Sequence, residues 1–172
     1  MNAKATLTMP RTELRGTTGE DSEAAGLRSS ARGTGTVESK AAVTNAFTID
    51  VEDYYHVSAL ASAIPRSTWS DRDSRVSAST DRLLAMLDEK RIKGTFFVLG
   101  WVADKVPQLV KRIAAQGHEV ACHGYSHELI YRQTPGVFAE ETRRSKTLLE
   151  DLTGMPVIGY RAASFSITPR SR

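Results

Sequence analysis

Two of the chain's four histidines, His123 and His127, stand four residues apart in His123-Gly124-Tyr125-Ser126-His127. At that spacing both imidazoles can project the same way from one helical turn or tight loop, so both can hold one metal ion. A third ligand, an oxygen from elsewhere, would complete a site with positions left open for water and substrate. The chain offers carboxylates far upstream in Asp50-Val51-Glu52-Asp53. Cys122 precedes the histidine pair and is the only cysteine, so no intrachain disulfide can form. Its apolar neighbours, Val120 and Ala121, favour a buried structural thiol over a nucleophile.

These groups need a frame to bring them together. An apolar run, Ala46-Phe47-Thr48-Ile49, reads as a strand that delivers the acidic cluster at its end. A loop follows from Tyr54 to Ser79, and Ser79 or Thr80 can cap a helix carrying Leu83, Leu84 and Leu87. Thr95-Phe96-Phe97-Val98-Leu99 has the β-branched and aromatic content of a buried strand. Pro107, Leu109, Val110, Ile113 and Gly117 mark a second helix. Glu119-Val120-Ala121-Cys122 is a third strand, Thr134-Pro135 opens a third helix that closes at Gly154, and Pro156 to Tyr160 reads as a fourth strand leading to Arg161. Alternating strands and helices predict a parallel α/β sheet with right-handed crossovers. Each polar cluster falls just after a strand, the end where such folds build active sites.

Composition narrows the classes. The 172 residues are 40% hydrophobic with a net charge of +3, which suits one domain of ordinary size. Basic residues are interleaved with acids, so no nucleic-acid-binding stripe is expected. No run approaches the roughly 18 apolar residues of a membrane span. The first 45 residues lack the apolar core of a secretory signal, which points to the cytoplasm, or to the periplasm if the true start lies elsewhere. Residues 1–44 are rich in Gly, Ser, Thr and mixed charge, and are expected to form a disordered extension ahead of a domain over residues 45–172.

Four segments occur in an order that resembles the polysaccharide deacetylases, carbohydrate esterase family four. They are Phe47 to Tyr55, Thr95 to Gly100, His118 to His127 and Gly159 to Ile167. The Asp-Val-Glu-Asp-Tyr and Tyr-Arg-Ala-x-Ser-Phe-Ser-Ile forms are most similar to the branch associated with exosortase (PEP-CTERM) exopolysaccharide loci. The likeness spans about residues 46–169. It implies a distorted (β/α) barrel and metal-dependent removal of acetyl groups from an N-acetylated polysaccharide, in exopolysaccharide biosynthesis. The family's chemistry uses a divalent metal as Lewis acid, a carboxylate that takes a proton from water, and a general acid at the leaving amine.

Carried onto this chain, the resemblance makes His123 and His127 the paired metal ligands and Arg161 the arginine that pairs with the catalytic carboxylate and fixes its orientation. The family's usual adjacent aspartates are replaced by Asp50-Val51-Glu52-Asp53. One register makes Asp50 the base and leaves Glu52 or Asp53 to the metal; another makes Glu52 the base and Asp53 the ligand. Asp50 as base with Asp53 as ligand is the preferred assignment, although strand alternation puts Asp50 and Glu52 on one face. Two imidazoles and a carboxylate suit Zn²⁺, with Co²⁺ or another first-row ion able to compete. His56 is read as a loop histidine without a metal role and His118 as structural. Tyr54, Tyr55 and Trp69 could stack on sugar rings or pack into the core. Ala163 stands where the branch usually has proline.

A complete (β/α) barrel takes about 200 residues or more, so the barrel is expected to be incomplete in this chain. The family's later aspartate motif and its Leu-x-His general acid fall outside the sequence, which reads as truncated. A related ring-opening amidohydrolase of the allantoinase type, or an inactive truncated product, are the alternative readings.

Overall fold

The computed structural model of the chain describes residues 45–169 and Ser171. The extension expected over residues 1–44 lies outside the described residues. Three short strands, β1 (Thr48–Val51), β2 (Thr95–Val98) and β3 (Glu119–Cys122), form a parallel sheet in the order β1-β2-β3. In register, Asp50 lies beside Phe97 and Phe97 beside Ala121. Among the described residues four α-helices accompany them: α1 (Val76–Glu89), α2 (Gly100–Lys105), α3 (Pro107–Ala115) and α4 (Pro135–Thr153).

Alternation along the strands divides the sheet into two faces. Val51, Phe96, Val98, Val120 and Cys122 join Leu84, Leu87, Val102, Leu109, Val110, Ile113 and Leu149 of the helices in one buried core. Each large apolar side chain buried there contributes about 1.5–3 kcal/mol. The register row Asp50, Phe97 and Ala121 occupies the opposite face, where Ala121 is buried and Asp50 is exposed. The α/β class and parallel pairing are those the sequence leads one to expect. Among the described residues the sheet is an open portion of a barrel.

Local signals explain two helices well. Thr134 Oγ1 accepts from Val137 N at 3.3 Å, Pro135 takes the first helical position, and Gly154 closes α4 in the left-handed region at φ 69°. Pro107 likewise opens α3.

Three elements differ from the sequence reading. Helix α1 starts at Val76, ahead of Ser79 and Thr80, because its cap is not local. The carboxylate of Asp53 accepts from Arg75 N at 2.7 Å and Val76 N at 3.1 Å, satisfying amides that the helix itself cannot. Helix α2 lies between the second strand and the helix marked by Pro107, where the sequence reading assigned no element. The fourth strand shrinks to one parallel bridge between Cys122 and Tyr160. The backbone before that bridge is tied to α4 instead: Val157 N donates to Glu150 Oε1 at 2.9 Å and Lys146 Nζ donates to Val157 O at 2.7 Å. What survives is enough to place Arg161, since Cys122 N donates to Gly159 O and Arg161 N to Cys122 O, both at 2.9 Å. Among the described residues no helix is long and apolar enough to cross a membrane.

Candidate metal centre and catalytic groups

Glu52, His123 and His127 converge at the ends of β1 and β3. One ligand atom from each lies within 4.8 Å of the other two. Both histidines are buried and Glu52 is half-buried. Each arrives by a different route.

His123 directly continues the sheet, its backbone N–H donating to Val98 O at 3.0 Å. Its Nδ1 lies 2.8 Å from Arg161 O. A carbonyl can only accept, so Nδ1 carries the proton and Nε2 keeps its lone pair for the site. Burial pushes the His123 imidazole below its ordinary 6.5, against the opposing fields of Asp50 and Glu52. It is therefore neutral near pH 7, the form that can act as a ligand.

His127 is set by the loop before it. Gly124 turns the chain at φ 77°, and His127 itself sits in the left-handed region at φ 53°. The first amides of α2 hold this loop: Gly100 N donates to Gly124 O at 2.8 Å and Trp101 N to Tyr125 O at 3.1 Å. The approach is so close that a Cβ on Gly100 would lie 2.6 Å from Tyr125 Cδ2 and 2.4 Å from Ser145 Oγ. Ser126 Oγ donates to Glu141, and Arg66 reaches Ser126 O at 2.9 Å, tying the loop to α4 and to the 66–71 turn.

Glu52 Oε2 lies 2.8 Å from His127 Nε2. Burial opposes ionisation of Glu52. Its contact with His127 and the fields of His127, His123 and His56 outweigh that cost and hold the carboxyl below its ordinary 4.5. Its buried Oε2 has no hydrogen-bond partner of good geometry. A buried anionic oxygen without a donor, facing two imidazoles, fits a cation held between them. Two nitrogens and one carboxylate oxygen are the ligand types of zinc and its first-row neighbours.

Asp53, preferred above as the metal ligand, is turned away from the histidines. Its Oδ1 accepts from Tyr54 N at 3.0 Å, and its Oδ2 from Ser74 Oγ at 2.8 Å as well as from the two amides that open α1. A carboxylate with both oxygens engaged in this way has little capacity left for an ion. The correction follows from strand geometry: Asp50 and Glu52 share a face and Asp53 falls on the other. Asp50 is not one of the three ligand candidates, although its field reaches His123. Arg161 Nη1 donates to its Oδ1 at 2.6 Å and Arg161 Nη2 to Thr48 Oγ1 at 2.9 Å, while the guanidinium lies 3.9 Å from the Phe97 ring centre. Asp50 is about a third exposed, open to solvent and to a substrate.

The aromatic residues after the acidic cluster pack inward. Tyr55, His56 and Trp69 are buried, and with Trp101 they form edge-to-face pairs whose centroids are 4.4 to 5.7 Å apart, with Tyr55 and Trp69 tilted to each other at 6.1 Å. Trp101 is a member that sequence reasoning missed, because α2 itself was not read. His56 Nδ1 accepts from Asp53 N at 2.8 Å, and burial pushes its imidazole down to about 4. His118 is structural, its Nδ1 accepting from Gly94 N at 3.2 Å. Cys122 is buried and burial raises its thiol pKa, which leaves it inert. A cleft of about 260 Å³ adjoins His127, lined in part by Tyr55, His56, Arg66, Trp69 and Ser126.

The polysaccharide deacetylase family model matches residues 66–172. The chain belongs to the polysaccharide deacetylase family. Relatives within it include the peptidoglycan-N-acetylglucosamine deacetylase of Bacillus cereus, 35% identical over 75 residues, which are 44% of this chain and 27% of that enzyme. A chitooligosaccharide deacetylase of Rhizobium leguminosarum is 32% identical over 111 residues, 53% of this chain and 52% of its own length. The chain thus spans between about a quarter and a half of these polysaccharide deacetylases. A solved Mycobacterium smegmatis structure described as a polysaccharide deacetylase superposes with a TM-score of 0.60 at 32% identity, covering 73% of this chain and 45% of that one.

Two outcomes follow from the opposed orientations of neighbouring carboxylates. Glu52→Ala is expected to change folding stability by less than about 1 kcal/mol, whereas Asp53→Ala loses about 2–4 kcal/mol through the orphaned amides of α1. Urea denaturation of the two variants checks this, and the reverse ranking would contradict it. His56 gives a pH dependence. Its folded value of about 4 lies below the ordinary 6.5, so the unfolded chain takes up the proton first as pH falls. Stability from this group is complete above about pH 6.5 and declines by about 3 kcal/mol as pH drops toward 4. Urea midpoints between pH 7.5 and 4 should show this slope, and His56→Phe should flatten it; a wild-type profile that is level across that window contradicts the assignment.

Proposed function

We propose that Glu52, His123 and His127 bind a divalent cation, Zn²⁺ or a first-row ion such as Co²⁺, and that the chain takes part in hydrolytic removal of N-acetyl groups from a polysaccharide. The observation that carries this reading is the meeting of two buried imidazoles and a buried, donorless carboxylate oxygen beside an accessible Asp50. Once bound, such an ion supplies Lewis acidity toward the amide carbonyl and toward water.

The chain's own residues supply the rest. Asp50 accepts the proton of the attacking water. Arg161 holds Asp50 through Nη1 while anchoring itself on Thr48, so the base cannot swing toward the imidazoles. The Arg161 carbonyl also orients His123, so one residue positions both the base and a ligand. The cleft beside His127 has room for part of a sugar unit. The names of the relatives support an N-acetylated glycan as substrate, and the acidic and arginine motif forms support an exopolysaccharide as its source.

The test is acetate release from N-acetylated chitooligosaccharides by the full chain, with and without a chelator. Turnover is expected to disappear on chelation and return with zinc or cobalt, and Asp50→Asn is expected to lower kcat by about 10²–10⁴-fold while cobalt binding persists. Hydrolysis of allantoin in place of the glycan would move the chain to the ring-opening amidohydrolases. Undiminished acetate release in the chelated protein would refute the metal assignment.

A further inference from the structure

The cleft of about 260 Å³ beside His127 carries a charge on its wall that the metal site does not use. Its arginines and its one acid are Arg66, Arg132 and Glu128. Two of the three cancel. Arg66 Nη2 donates to Glu128 Oε2 at 3.1 Å and to Ser126 O at 2.9 Å, and its guanidinium lies 5.4 Å from the Trp69 ring centre. Glu128 Oε1 also accepts from Leu129 N at 3.3 Å. Arg132 is left over. It is exposed, and its guanidinium has no hydrogen bond, ion pair or ring contact among the described residues.

The backbone that presents Arg132 is held firmly. Ile130–Arg132 form a 3₁₀ turn in which Arg132 N donates to Leu129 O at 2.9 Å. Ile130 N donates to Ser166 Oγ at 3.0 Å and Gln133 Nε2 to Glu128 O at 2.9 Å. A free guanidinium on a fixed turn keeps its planar fork for a carboxylate brought from outside. The rest of the wall is largely apolar, with Tyr55, Ile64, Trp69 and Leu129 among its residues. Pockets that enclose a whole ligand usually hold about 300–1,000 Å³. This cleft is smaller, so it takes one edge of a sugar and the substituent on that edge. Resting on the glycan reading proposed above, we infer that Arg132 is a specificity residue, pairing with a carboxylate on the sugar next to the one that is deacetylated. The substrate is then an acidic polysaccharide in which N-acetylated sugars adjoin uronates.

The test titrates the full chain with two probes of equal length, with chelator present so that no acetate is released. A hyaluronan tetrasaccharide alternates N-acetylglucosamine with glucuronate, and chitotetraose is its neutral counterpart. At an ionic strength of about 0.01 M, wild type is expected to bind the acidic probe about tenfold more tightly, a preference that narrows at about 1 M salt. Arg132→Gln is expected to bring the two affinities within about twofold of each other. Arg132→Lys, which keeps the charge and loses the fork, should fall between. Equal affinities in wild type, undetectable binding of the acidic probe, or a preference that persists in Arg132→Gln overturns the inference. Acetate assays without chelator separate this inference from the reading it rests on. Turnover of chitotetraose by a chain without acidic preference upholds the deacetylase and overturns the role of Arg132. An Arg132-dependent preference in a chain that releases no acetate from either probe upholds that role and refutes the deacetylase.

Discussion

The carboxylate of Asp53 does its work at the start of α1, and the arrangement of the whole centre follows from that. Four donors converge on its two oxygens, two of them amides that a helix cannot satisfy internally. Hydrogen bonds to a buried charge are among the stronger ones a fold can make, each worth about 1.5–3 kcal/mol. Once Asp53 is held there, the residue before it must point the other way, and Glu52 is delivered to the histidines. The same contact tethers the 54–75 segment, whose aromatic residues then pack on Trp101 of α2.

Helix α2 is the complementary constraint. Its opening amides bind the carbonyls of Gly124 and Tyr125, so a helix end that would otherwise be unsatisfied becomes the clamp on the histidine loop. The left-handed backbone at His127 persists because this clamp, Ser126 on Glu141 and Arg66 on Ser126 determine the loop from three sides. One short helix and one buried carboxylate thus fix ligands that lie more than seventy residues apart in sequence. Arg161 joins the last piece, since its backbone holds His123 while its side chain holds Asp50.

Much of this was legible in the sequence because the signals were local. The strand runs, the Thr134-Pro135 opening and Gly154 close of α4, and the histidine pair are all readable within a few residues. What escaped was non-local. The cap of α1 comes from a residue 22 positions upstream, so the spacing around Ser79 and Thr80 misplaced the helix start. The Pro156 to Tyr160 run has strand composition, yet Glu150 and Lys146 capture its backbone before β3 can. Among the acidic residues, strand alternation already set Asp50 and Glu52 against Asp53. The preferred assignment gave Asp53 to the metal and overlooked a competing demand for its charge, which only the fold reveals.

Anomalous diffraction from zinc-loaded crystals tests the central claim most directly, because it locates the ion without reference to activity. The account predicts a single strong peak within bonding distance of Glu52, His123 Nε2 and His127 Nε2, with Asp53 still bonded to the amides of Arg75 and Val76. A peak coordinated by Asp53, or one that leaves Glu52 outside the coordination sphere, would contradict it.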